Sequence, residues 1–129
     1  MNAIKYCVLA VILMSATAIL ASSLDIKEWQ VPYDASRPRD PFAASASSVW
    51  FVGQRGGYLA HLDVQTGEFS KIDLKQGSGP HNLIVGSDGI VWYAGNLNRM
   101  IGRYNPETKD IQTIMMPDKR ARDPHTGIR

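Results

Sequence analysis

The feature that most constrains this chain is a repeat. Residues 37–78 and 79–120 read as two copies of one unit, offset by 42 positions. Val49-Trp50-Phe51 recurs as Val91-Trp92-Tyr93, Gly53 as Gly95, and Pro38 as Pro80. Leu62-Asp63-Val64-Gln65-Thr66-Gly67 recurs as Tyr104-Asn105-Pro106-Glu107-Thr108-Lys109. A third copy opens at Arg122-Asp123-Pro124-His125-Thr126, before Arg129. A unit this short cannot cover its own apolar face. It must stack on its neighbours, so the fold is a row or ring of like units.

Within each unit, apolar residues fall in short runs between turn residues. Strands are expected at 42–44, 49–52, 58–62 and 68–74, then at 83–85, 90–94, 100–104 and 111–115. The strongest of them are rich in β-branched and aromatic residues. The segments between carry turn chemistry, as in Asp63-Val64-Gln65-Thr66-Gly67, Gly86-Ser87-Asp88-Gly89 and Asn105-Pro106. Glycine takes positive φ there, Asn and Asp bond their own backbone, and Pro presets φ. No amphipathic helical pattern follows the first 23 residues. Four short antiparallel strands per unit, at a period near 40, is the pattern of a β-propeller blade.

The chain thus reads as all-β, with about two and a half blades: 37–78, 79–120, and 121–129 as the start of a third. A propeller ring needs at least four blades, so the expectation is the opening part of a larger ring. Residues 26–32 resemble the unit end at 68–74. Residues 24–36 are therefore expected to act as a closing outer strand that completes the last blade. Trp50 and Trp92 share one place in successive units and are expected to pack between neighbouring blades.

Lys5, an apolar run from Tyr6 to about Ala21, and Ala21-Ser22-Ser23 make the n-region, h-region and small-residue cleavage zone of a signal peptide over residues 1–23. Cleavage after Ala18 is a second option, and an uncleaved anchor is the rival reading. The run is short against the ~20 apolar residues of a membrane span. The expected location is periplasmic or extracellular, with no stable membrane span once the leader is removed. Cys7, the single cysteine, lies inside that run. The mature part therefore offers no disulfide, thiolate zinc site or haem attachment motif, and must hold together by packing. With 14 basic and 12 acidic residues the net charge is only +2. Lys119-Arg120-Ala121-Arg122 is a small basic knot rather than a basic face, which argues against nucleic-acid binding.

The candidate functional residues recur where each unit opens. Arg39 in the first unit aligns with His81 in the second and His125 in the third. The segment leading into the innermost strand of a blade faces the central channel, so Arg39, His81 and His125 are expected to line one funnel. Imidazole and guanidinium groups there suit an oxygen-rich ligand, a metal or proton transfer. The competing reading of each Pro-His pair is a capped turn whose imidazole bonds a backbone carbonyl. His61 aligns with Arg103 and reads as a surface strand residue. Asp40 and Asp123 each precede a proline and read as turn residues, so paired-carboxylate chemistry is weakly supported.

Gly79-Pro80-His81-Asn82-Leu83-Ile84-Val85, followed by Asp88-Gly89-Ile90-Val91-Trp92-Tyr93 and Gly95-Asn96, resembles the streptogramin B lyase family. So do Arg37-Pro38-Arg39-Asp40-Pro41, Ile101-Gly102-Arg103-Tyr104-Asn105-Pro106-Glu107-Thr108 and Arg122-Asp123-Pro124-His125-Thr126. The resemblance covers nearly all of residues 25–129. It implies a seven-bladed propeller and a magnesium-assisted elimination that opens a cyclic depsipeptide antibiotic at its ester, the chemistry of antibiotic resistance. It also implies that the catalytic histidine and acidic metal ligands belong to later blades. His81 and His125 carry over only as substrate-lining positions. No catalytic residue and no metal ligand is assigned, and no cofactor is expected for this chain alone. Expected partners are a small-molecule or cyclic-peptide ligand and, through open blade faces, further copies of the chain. The alternative is a non-catalytic extracellular ligand-binding module, either as a single chain or with several copies assembled into a ring.

Overall fold

The computed structural model describes residues 24–117, so the expected leader, His125 and the expected start of a third unit lie outside the described residues. The first sheet contains β1 (Pro38–Ala43), β2 (Ser48–Gly53), β3 (Tyr58–Asp63) and β4 (Phe69–Asp73). The second contains β5 (Pro80–Val85), β6 (Val91–Gly95), β7 (Met100–Tyr104) and β8 (Ile111–Met115). Each is a four-stranded antiparallel meander in sequence order. Among the described residues no helix is long and apolar enough to cross a membrane.

The two sheets match at the level of single hydrogen bonds. Gly67 N–H donates to the Asp63 carbonyl at 2.8 Å, and Lys109 N–H to the Asn105 carbonyl at 2.8 Å. Leu74 N–H reaches the Gly57 carbonyl at 2.8 Å, and Met116 N–H the Arg99 carbonyl at 2.9 Å. The Asp63 carboxylate accepts from Gln65 and Thr66 N–H, as the Asn105 amide oxygen accepts from Glu107 and Thr108 N–H. These Asx turns hold the β3–β4 and β7–β8 corners. β1 and β5 both extend to the proline that opens the unit, further than apolar content alone indicates. Their ladders are interrupted at matched places, between Arg39 and Phe42 and between Pro80 and Leu83. Pro41, which has no N–H to give to a ladder, fits at the first of these interruptions, and the second forms without a proline at the matching position, Leu83.

The main core lies between the sheets. Trp50, Val52 and Leu59 of the first meet Leu83, Val91, Tyr93, Met100 and Tyr104 of the second, with Ile72 and Leu74 packed against them. The far face of the first sheet carries Phe51, Tyr58 and Ala60, covered by Val31, Tyr33 and Phe69. Residues 24–33 take part in no ladder among the described residues.

His61 differs from its sequence reading, and Trp92 meets only one of the two units expected to flank it, since the third lies outside the described residues. Trp50 is buried, but Trp92 is only half-buried. The alternation of β6 points Val91 and Tyr93 at the first sheet, which turns Trp92 to the opposite face beneath the Arg103 guanidinium, 5.9 Å from the ring centroid. His61, read as a surface residue, is half-buried beside Trp50, with ring centroids 4.9 Å apart. Its Nε2 pairs with the Ser48 hydroxyl at 2.8 Å. Burial lowers the His61 pKa below its ordinary 6.5, partly offset by the Asp63 carboxylate.

Candidate functional site

β5 packs against both β1 and β2, which brings the openings of the two units together. The backbone there is set by carbonyls turned back onto the β2 and β6 ends. The Arg37 carbonyl accepts from Gln54 N–H at 3.1 Å and the Gly79 carbonyl from Asn96 N–H at 3.3 Å. Arg37 and Gly79 both sit in the left-handed region, at φ 53° and 51°. Asp40 is left-handed too, at φ 48°, within the β1 bulge. Aspartate tolerates that region better than most residues.

This bulge brings Arg39 and Asp40 of the first unit to His81 of the second. Arg39 Nε donates to Asp40 Oδ2 at 3.3 Å, and Arg39 Nη1 to Gln54 Oε1 at 3.2 Å. His81 Nδ1 lies 3.7 Å from the same Asp40 Oδ2. At that distance the His81 contact is not a hydrogen bond, and it becomes an ion pair only when the imidazole is protonated. The His81 side chain is 18% exposed, against 28% for Arg39 and 42% for Asp40, so imidazole and guanidinium remain reachable. Exposed pairs of this kind contribute at most about 1 kcal/mol to stability. Their larger effect is to hold two donor groups from different blades over one acceptor.

The structure therefore brings Arg39 and His81 together. His125 lies outside the described residues. Asp40, read from sequence as a turn residue, proves to be the link between the two. Its counterpart 42 positions on is Asn82, so the slot after Arg39 and His81 is polar in both units, and that recurrence was the available signal.

Magnesium takes near-octahedral oxygen coordination, usually with one or two carboxylates. Among the described residues no three His, Cys, Asp or Glu side chains gather to hold a metal ion. At the two described unit openings the Asp40 carboxylate is already faced by a guanidinium and an imidazole. This donor set does not fit a magnesium site.

No protein-family model matches the chain, and no curated protein matches it. Solved structures do. A streptogramin B lyase matches with TM-score 0.68 at 21% identity, over 74% of this chain and 32% of that one. A catalytically inactive virginiamycin B lyase from Staphylococcus aureus, with quinupristin, matches with TM-score 0.65 at 22% identity over the same shares, 74% and 32%. The extracellular domain of a hybrid two-component system from B. thetaiotaomicron matches with TM-score 0.53 at 15% identity, over 73% of this chain and 12% of that one. The chain spans about a third of the length of the lyases it matches. Over two consecutive blades, its fold is the β-propeller fold of the streptogramin B lyases.

Proposed function

We propose that this chain supplies ligand-lining blades to an exported propeller of the streptogramin B lyase kind. Arg39 and His81 contact the ligand at the channel end, and His125 adds a third donor from the next unit. The observation that carries this reading is the meeting of Arg39 and His81 at one carboxylate, from the same position of consecutive blades. The ligand class that suits them is rich in carbonyl and ester oxygens, as a cyclic depsipeptide is. A guanidinium and an imidazole N–H donate to such oxygens, and Asp40 keeps both groups oriented. The chemistry derived for these residues is binding and orientation. Elimination requires a base and a metal held in fixed geometry, and neither role is assigned to a described residue.

The test is calorimetric titration of the purified chain with quinupristin, alongside mass spectrometry of the ligand. Hydrogen bonds to charged groups contribute about 1.5–3 kcal/mol, so Arg39→Ala and His81→Ala should each weaken binding by about tenfold or more. The ligand should stay intact with or without magnesium. Unchanged affinity in both variants overturns the assignment. Ring opening by the parent chain, abolished by a chelator, overturns the division between binding and catalysis.

A second reading is favoured by the open side of the second sheet. Trp92 is half-buried there, Ile114 is 52% exposed, and Leu97 in the β6–β7 turn is 73% exposed. On this reading copies of the chain associate as a non-catalytic ligand-binding module. Light scattering after size-exclusion chromatography separates the two: a monomer at micromolar concentration excludes the second.

A further inference from the structure

One half of the first blade is closed by a box of rings. Tyr33 stands edge-on to Tyr58 at 5.1 Å and to Phe69 at 6.4 Å. Phe51 stands edge-on to Tyr58 at 6.3 Å and to Phe69 at 6.1 Å. Lys71 Nζ lies 5.6 Å from the Tyr33 ring. Moved by one repeat of 42 positions, Tyr33 becomes Lys75, Phe51 becomes Tyr93, Tyr58 becomes Met100, Phe69 becomes Ile111 and Lys71 becomes Thr113. Three of the four rings are gone, and those five substituted positions line a cleft of about 250 Å³.

The polar groups around the box change with it. In the first blade the Tyr58 hydroxyl and Ser36 Oγ share a hydrogen bond of 2.7 Å. Met100 brings no hydroxyl, and Ser78 Oγ, on a residue 0% exposed, has no hydrogen-bond partner among the described residues. Asn98 lines the cleft, and its Oδ1 is buried and likewise unpartnered there. An unpaired buried oxygen carries a desolvation cost that a ligand donor can relieve. Lys75, at the same cleft, forms no ion pair among the described residues.

We propose that this cleft binds a small phenolic carboxylate. The ligand ring occupies the room of the absent side-chain rings and meets Tyr93 edge-on, as the rings of the first blade meet one another. Its hydroxyl donates to Asn98 Oδ1, and its carboxylate pairs with the Lys75 ammonium. The site lies on β6, the β6–β7 turn, β7, β8 and the segment before β5, apart from Arg39, Asp40 and His81, and it does not depend on the function proposed for them.

The experiment uses the purified chain with methyl-labelled methionines and titrates 4-hydroxyphenylacetate, with p-cresol and cyclohexylacetate as comparators. The expected result is a shift of the Met100 methyl with a Kd on the order of 1 mM or tighter. Lys75→Ala should weaken the acid severalfold and leave p-cresol unchanged. Met100→Tyr and Ile111→Phe rebuild rings of the first blade, so each should weaken binding by about tenfold or more, read by calorimetry. Two variants are used so that one result stands if the other variant folds poorly. No methyl shift at about 10 mM ligand overturns the site. So does parent-like binding by a folded ring-restoring variant. Equal binding of cyclohexylacetate overturns the assignment to a phenol.

Discussion

Replacing Trp50 by Ala should cost this chain far more than replacing Trp92 by Ala, although the two hold one place in successive units. Trp50 is 8% exposed, tilted against His61 at 4.9 Å and against Tyr104 of the second sheet at 6.0 Å. Its removal leaves a cavity at the meeting of both sheets, for which the usual cost is about 3–5 kcal/mol. Trp92 is half-buried on the open side and holds one guanidinium over its ring. An exposed cation–π contact contributes about 0.5–1 kcal/mol, and partial burial of the ring adds a comparable amount, giving about 1–2 kcal/mol. The assay is urea unfolding followed by far-UV circular dichroism. With a slope of about 1–2 kcal/mol/M for a chain of this size, the midpoint should fall by about 2–4 M for Trp50→Ala and by about 1 M for Trp92→Ala. The larger loss approaches the whole stability of a small domain, so Trp50→Phe serves as a milder probe and should fall between the two. Equal midpoint shifts for the two Ala variants would show that the sheets do not pack through Trp50, and the reasoning would fail.

Four further outcomes are expected. The His61 pKa is lowered by burial, so below its ordinary 6.5 the unfolded chain binds more protons than the folded one. Stability is present in full above that pH and declines as pH falls from 6.5 towards the lowered folded value; a melting temperature constant between pH 7.5 and about 5.5, or unaltered in its pH slope by His61→Gln, contradicts this. Burial raises the Tyr93 pKa to about 12, so the folded chain is stabilised below pH 10 and loses that contribution as the pH climbs from 10 towards 12, which ultraviolet titration of Tyr93→Phe against the parent should resolve. Lys109 holds φ 63° where its counterpart Gly67 holds φ 79°, and Lys109→Gly should raise stability by about 0.5–1 kcal/mol in urea unfolding; a lower midpoint counts against it. Mass spectrometry of the chain from an exporting host should find its first residue at Leu24 or Ile19, and an intact Met1 in the membrane fraction would support an anchor instead.

Much of the fold was legible because the repeat supplies its own control. A strand that appears once is a guess from propensity, but Val49-Trp50-Phe51 and Val91-Trp92-Tyr93 support each other. The strands Met100–Tyr104 and Ile111–Met115 fall where expected. β1 and β5 run longer than expected because pairing with β2 and β6 carries Pro38, Arg39, Pro80 and His81 into the ladder or its bulge, which no apolar pattern reveals. The environment of a repeated residue was less legible. Trp50 and Trp92 look alike in sequence, and only the position of the sheets decides which of them is covered. His61 faces Trp50 across the β2–β3 register, and the pairing that places it there is a tertiary fact. At the candidate site, Arg39 and His81 were found by recurrence. Asp40 was passed over because Asp-Pro carries a strong turn signal, and the same bulge that satisfies that signal brings its carboxylate to both the guanidinium and the imidazole.

The packing of Trp50 between the sheets has a geometric consequence. Two sheets that match bond for bond are related by a single rotation and shift, and that operation is set by the side chains wedged between them. Applied again it places the next blade, and after enough applications it either closes on itself or winds into an open spiral. The number of blades is then a property of one interface. A bulkier or slimmer group at Trp50, Tyr104 or Leu83 alters the wedge by a small angle, and the error accumulates at every step around the circle. Side-chain volume between neighbouring blades is in this sense a counting device, and the channel diameter available to any ligand follows from it.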